Sequence, residues 1–369
     1  MTNITILSDG NVSALVPERL AASAAEAVRD ILQEAEAPNT TRSYAGALRY
    51  WAGWFAGRYG QPITLPVPPA AVVQFVVDHM GRSGDTGLRW DLPPDLDRAL
   101  VTAGLKAKLG PLSFSSLVHR VSVLSAAHKQ ARQENPCEDR AVRTLLSKGR
   151  RASHKRGERP AKKTALLAVD VRAMAATCDA SLIGKRDRAL LYFAFASGGR
   201  RRSEVAAATI ANLRHLPEGG FTYHLDKGKT LQSGPVAGGS PDKPILGEAA
   251  LALQDWLAST GIRDGAIFRR VWPNKLGGPL SGTTVAKIVK KRAKMAGLEG
   301  DFGGHSLRSG FVTEGARRGI SLPALMAMTD HRSVASVVGY FQAGSVGHNP
   351  AARLLDGEEA HQDGSNRED

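Results

Sequence analysis

The chain has 369 residues, 42% hydrophobic and 23% charged, which gives enough apolar material for two cores and excludes a disordered protein. Lysine and arginine total 49 against 35 acids, a formal charge of +14, so the field attracts polyanions; nucleic acid is the first partner to consider, although a basic enzyme without one would carry the same charge. The two cysteines, Cys137 and Cys178, fit no metal-ligand or disulfide spacing, and no apolar run approaches the ~18 residues of a membrane span, so thiol chemistry and a membrane are excluded and a reducing cytosol is expected.

Residues 1–20 begin with MTNITILSDG, which lacks the basic-then-apolar order of an export signal, and the segment is expected to be mobile. From Asn39, the text PNTTRSYAGALRYWAGWF sets Tyr44, Leu48, Trp51 and Phe55 at steps of four, three and four, the stripe of an amphipathic helix starting at Asn39, Thr40 or Thr41. A second helix is expected in AAVVQFVVDHM. A third lies in LSFSSLVHRVSVLSAAHKQAR, with Leu117, Val121 and Leu124 on its buried side. These make residues 21–145 an all-helical domain. A linker is expected over 146–166, where Lys148 to Lys163 holds eight Lys or Arg in sixteen residues with Glu158 the sole acid. That cluster is either a solvated connector or, between two domains on DNA, a track for phosphates made of Lys148, Arg150, Arg151, Lys155, Arg156, Arg159, Lys162 and Lys163.

The second domain, 167–355, shows helical patterns at VDVRAMAATC and KRDRALLYFAFA, then strand-like alternation of Phe221, Tyr223 and Leu225. Glycine-rich text from Gly234 to Gly239 interrupts it, and helices follow at TTVAKIVKKRAKMAG and SLRSGFVTEGARRG. The fold class is therefore mainly α with a small β-sheet in the second domain. The tail, 356–369, is polar, acidic and expected to be disordered.

A side chain that attacks a DNA phosphodiester needs the phosphate charge stabilised, its own proton removed and the departing sugar oxygen protonated. Arginines, a histidine, another cation and a hydroxyl meet those needs, and the second domain holds such groups in four patches. SGGRRRSEV presents Arg200, Arg201 and Arg202 at a glycine bend before Glu204. LDKGKTLQSG sets Lys227 and Lys229 on one side of a strand running into a turn. HSLR spaces His305 and Arg308 by three, one face of a helix. DHRSVASVVGYF puts His331 nine residues before Tyr340, opposite faces of a continuous helix, so a shared site requires a break between them. Each patch alone has an ordinary explanation: a basic helix start, a solvent-exposed lysine, a capping histidine beside a surface arginine, a buried tyrosine late in a helix.

Their joint order, behind a basic linker and a helical first domain, resembles the tyrosine recombinase (phage integrase) family over roughly residues 37–347. NTTRSYAGALRYW looks like the opening of that family's core-binding domain, which implies Arg42 as a DNA contact, and GKTLQSGPV looks most like the Cre branch. The resemblance implies Arg201 and Arg308 as a phosphate clamp, Lys229 as general acid, His305 on the base side, His331 as a phosphate donor and Tyr340 as nucleophile. Arg201 is chosen from the three arginines because it lies three residues before Glu204; Lys227 and Lys229 stay unresolved by spacing. Asp330 stands where the family usually has glycine, and the Cre branch has tryptophan at the position of His331.

The resemblance further implies a two-domain DNA clamp, a 3′-phosphotyrosine intermediate, no cofactor, metal or nucleotide energy source, and a homotetramer on two double-stranded DNA sites, cytoplasmic and nucleoid-associated. Rival readings are a monomeric type IB topoisomerase with the same chemistry, and a DNA-binding protein of this fold without activity. A helical protein-interaction module would leave the charge unexplained.

Overall fold

The computed structural model describes residues 38–345 apart from 86, 159–162, 226–239, 274 and 332. The expectations for residues 1–20 and 356–369, and for Arg159, Lys162, Lys227 and Lys229, therefore lie outside the described residues. The chain divides into two compact units, Met1–Ala161 and Lys162–Asp369.

The first unit is built on α1 (Pro38–Tyr59), α2 (Pro69–His79), α3 (Pro94–Thr102), α4 (Phe114–Gln130) and α5 (Arg140–Lys155). Its core is aromatic: Trp51 stacks on Phe75 at 3.8 Å, and Trp54 packs edge-on against the same ring. Each indole N–H finds an acceptor, Trp51 on Arg120 O at 3.0 Å and Trp54 on Asp78 Oδ2 at 2.9 Å, so the polar atoms of these buried rings are satisfied. Leu117, Val121 and Leu124 are buried as their spacing requires. The stripe on α1 is only half used. Trp51 and Phe55 are buried, whereas Tyr44 and Leu48 are 41% and 39% exposed, with Tyr44 meeting the edge of the His119 ring of α4. The all-helical expectation also misses a short antiparallel ladder, β1 (Arg82–Gly84) with β2 (Gly87–Arg89), closed across a glycine-flanked turn.

The segment expected as linker from 146 is helix as far as Lys155, because Asp139 caps the backbone N–H groups of Ala141 and Val142 and launches α5 through it. Lys148, Arg151 and Lys155 fall on one face of α5, away from the buried Val142, Gly149 and Ser153. Arg156 is paired with Glu158 at 2.8 Å, and Lys163 with Asp301.

The second unit packs α6 (Ala168–Ala176), α7 (Leu182–Ala196), α8 (Arg202–Ala206), α9 (Gly247–Thr260), α10 (Gly282–Met295), α11 (Gly304–Arg317), α12 (Leu322–Thr329) and α13 (Ala335–Ser345) with two small sheets. The larger sheet is antiparallel, in the order β3 (Leu213–His215), β4 (Phe221–His224), β5 (Asp242–Ile245). Phe221 and Tyr223 face the core with Phe193 and Phe268, and their partners across the ladder are Ile245 and Lys243. The smaller sheet is a hairpin of β6 (Arg269–Trp272) and β7 (Lys275–Pro279).

Candidate active site

The α7 helix ends at Ser197, and the chain turns sharply through Gly198 and Gly199, with φ of 97° and 67°. Only glycine fits there. A side-chain carbon at Gly198 would overlap Met328 O, and one at Gly199 would overlap the Arg308 Cα. This close approach seats the arginine run against α11 and the end of α12, and it sends adjacent arginines in different directions.

Arg200 turns inward. It is 1% exposed, donating to Asp330 Oδ2 at 2.7 Å and Met328 O at 2.5 Å. Arg201 is the N-cap residue of α8, with its side chain 29% exposed and its guanidinium 2.6 Å from Glu204 Oε1. The other oxygen of Glu204 accepts the Arg201 backbone N–H at 3.0 Å, so one buried carboxylate fixes both main chain and side chain of Arg201.

Facing this bend is α11, which carries His305 in its first turn and Arg308 in its second, on the single face their spacing requires. Arg308 is 2% exposed and donates to Thr329 O and, at 3.5 Å, to Gly199 O. Burial first, then the Arg201 and Arg200 charges, push its guanidinium down to about 9. An arginine held so unfavourably gains when an anion arrives.

The break required between His331 and Tyr340 is present. α12 ends at Thr329, Asp330 takes a left-handed conformation with φ 53°, and α13 begins only at Ala335. His331 Nδ1 lies 2.6 Å from Thr329 Oγ1 and 3.4 Å from an Arg308 nitrogen. Both of these contacts are made by Nδ1. Burial, followed by Arg308 and Arg201, pushes His331 down to about 3, so the ring is neutral at physiological pH.

Tyr340 lies on α13, half-buried, with its hydroxyl 3.3 Å from His305 Nε2 and its carbonyl accepting the Thr313 hydroxyl of α11 at 3.4 Å. His305 is held below the ordinary imidazole value by burial and by Arg308 and Arg201. A neutral imidazole within reach of a phenol can take its proton.

Of the six sequence-assigned site residues, Arg201, His305, Arg308, His331 and Tyr340 thus come together, while Lys229 lies outside the described residues. Sequence reasoning did not assign Lys243 at all. It is 1% exposed on β5, and its Nζ donates to Asp330 Oδ1 at 2.7 Å, Ser240 O at 2.7 Å and Ala327 O at 2.8 Å. The available signal was strand alternation, which puts Lys243 on the same inward face as Ile245. A cavity of about 490 Å³ lined by Val171, Phe195, Phe311 and Leu325 contains none of these site residues. No group of three His, Cys, Asp or Glu that could hold a metal occurs among the described residues.

The model of the phage integrase family matches residues 165–345. An integrase/recombinase xerD homolog of Selenomonas ruminantium is 31% identical over 330 residues, covering 85% of this chain and 84% of that protein. The recombinase Cre of Escherichia phage P1 is 23% identical over 248 residues, covering 63% of this chain and 71% of Cre. Among solved structures, lambda integrase residues 75–356, a dimer bound to a COC′ core site, is similar in fold with a TM-score of 0.50 and 15% identity, covering 86% of this chain and 94% of that one.

Proposed function

The chain belongs to the phage integrase family, the tyrosine recombinases, and from that premise we propose that it breaks and rejoins double-stranded DNA at a specific recombination site with Tyr340 as the nucleophile. The observation that carries the reading is the Tyr340 hydroxyl 3.3 Å from His305 Nε2, on the helix that also carries buried Arg308. The phosphate of the scissile bond sits against Arg201, Arg308 and His331, and the guanidinium charges and donor hydrogens stabilise the extra negative charge of the transition state. His305 takes the phenolic proton, the Tyr340 oxygen bonds to phosphorus, and the bond to the 5′ oxygen breaks. Lys229 gives that oxygen a proton. The products are a 3′-phosphotyrosine and a free 5′-hydroxyl, and attack by another strand's 5′-hydroxyl reverses the steps. One phosphodiester replaces another, so no nucleotide energy source enters.

The exposed Lys148, Arg151 and Lys155 of α5 follow phosphates, and four copies of the chain assemble on two DNA sites. Among the described residues no helix is long and apolar enough to cross a membrane, and the reading places the protein with its DNA, cytoplasmic and nucleoid-associated. The test is a DNA carrying two copies of the target site, incubated with the protein in excess chelator. Exchange of flanking segments supports the reading; relaxation of supercoils without exchange would mean topoisomerase action, and an obligatory divalent ion would overturn the arginine clamp.

A further inference from the structure

Between the α12 end and the bend after α7 lies a buried group of charges that takes no part in the steps above. Asp330 is 6% exposed and accepts Arg200 through one oxygen and Lys243 through the other, each at 2.7 Å. Both cations are 1% exposed, and both also bond to carbonyls of the last turn of α12, Arg200 to Met328 O and Lys243 to Ala327 O. The carboxylate therefore joins three pieces of chain: the arginine bend, β5, and the turn from Thr329 to His331. That turn does two things for the site, since Thr329 O accepts Arg308 and Thr329 Oγ1 holds His331 Nδ1.

We propose that Asp330 is a positioning residue, whose carboxylate holds Arg200 away from the DNA-facing side and pins the Thr329–His331 turn, so that Arg201, Arg308 and His331 alone meet the phosphate. Two features demand a reason and receive it. Asp330 occupies a left-handed conformation, φ 53° and ψ 42°, which glycine adopts at least cost; the carboxylate's two charge-assisted hydrogen bonds offset that preference. Arg200 and Arg201 are chemically identical neighbours that the glycine bend turns apart, and Asp330 is the carboxylate at hydrogen-bond distance that receives the inward one. Asp330 bonds Arg200 at 2.7 Å and Glu204 bonds Arg201 at 2.6 Å, while Glu204 lies 3.8 Å from Arg200. Asp330 touches no reacting atom in this scheme; it acts through Arg200, Arg308 and His331.

This inference rests on the recombinase reading, so the full-length protein is first shown to form a covalent adduct that Tyr340→Phe abolishes; failure at that stage concerns the reading and not Asp330. Asp330→Asn and Asp330→Gly are then compared with the parent in single-turnover cleavage at saturating DNA, with DNA affinity measured in parallel. Backbone ease alone ranks glycine first. The positioning role ranks the rates aspartate, asparagine, glycine, because asparagine keeps the left-handed tolerance and one acceptor while glycine keeps no acceptor. Asp330→Gly should cleave at least about tenfold more slowly with affinity within about threefold, consistent with misplacement of charge-stabilising donors. A glycine variant as fast as the parent, or one whose loss lies wholly in affinity, overturns the proposal. If Asp330→Gly does not fold, Asp330→Asn decides: slower cleavage at unchanged affinity supports the role, and an unchanged rate overturns it.

Discussion

Replacing Arg200 and, separately, Arg201 by methionine should give opposite phenotypes although the two residues are neighbours. Arg200 is 1% exposed, and its loss takes donors from two buried acceptors, Asp330 Oδ2 and Met328 O. Each orphaned acceptor costs about 1–3 kcal/mol. Asp330 keeps Lys243, and the buried Arg200 Nε finds no partner among the described residues, so removing it returns part of that cost. The lower part of the range applies, about 2–3 kcal/mol in all, which for a unit of this size lowers Tm by roughly 4–12 °C. Arg201→Met removes a 29% exposed ion pair, while Glu204 keeps the Arg201 backbone N–H, so about 1 kcal/mol or less is lost. Its cleavage rate should nevertheless fall by roughly 10² to 10³, as for loss of a donor to developing charge. Scanning calorimetry and single-turnover cleavage on both variants decide. A stable but inactive Arg200→Met beside a destabilised but active Arg201→Met would refute the assignment of inward and outward arginines.

His305, held below the ordinary 6.5 by burial, Arg308 and Arg201, is the neutral proton acceptor at pH 7 and loses that role as pH falls through its lowered value; cleavage at saturating DNA should be level from pH 8 to 6.5 and decline only below, and a decline that begins above 6.5 would contradict this. The unfolded chain takes up the same proton first, so stability of the free protein also falls below pH 6.5, and Tm is recorded beside the rate. Neutralising Lys148, Arg151 and Lys155 on α5 should flatten the slope of log affinity against log salt by about 0.9 for each phosphate that is no longer neutralised, and an unchanged slope would make that face merely solvated. Lys229→Ala should cleave ordinary DNA slowly, by roughly 10² to 10⁴, and recover on DNA with sulfur at the 5′ bridging position, which leaves as thiolate without an acid. Rescue of Lys227→Ala instead would shift the acid by two residues.

What could be read in the sequence was what repeats along an element. Leu117, Val121 and Leu124 at helical spacing, and Phe221, Tyr223 and Leu225 at strand spacing, are buried because one face of each element meets a core. The His305–Arg308 spacing and the need for a break before Tyr340 were legible for the same geometric reason. Directions set by tertiary packing were not. The opposite turns of Arg200 and Arg201 depend on the backbone of Gly198 and Gly199 pressing on Met328 and Arg308, far away in sequence. The Lys243–Asp330 pair joins residues 87 apart, and no local pattern announces it. Tyr44 and Leu48 continue the stripe and yet stay partly exposed. The α9 helix has a readable spacing in Ala249, Leu253 and Trp256, but it follows glycine-rich text that suggests a loop.

The central claim is that the Tyr340 oxygen bonds to DNA phosphorus. The direct measurement traps the protein–DNA adduct on a nicked substrate whose short 5′ fragment diffuses away, digests both components, and locates the phosphate by mass spectrometry, with Tyr340→Phe carried through the same steps. The account predicts phosphate on the peptide containing Tyr340, and no adduct in Tyr340→Phe at nearly unchanged DNA affinity. An adduct in that variant, or phosphate on the peptides of Tyr192 or Tyr223, would contradict it.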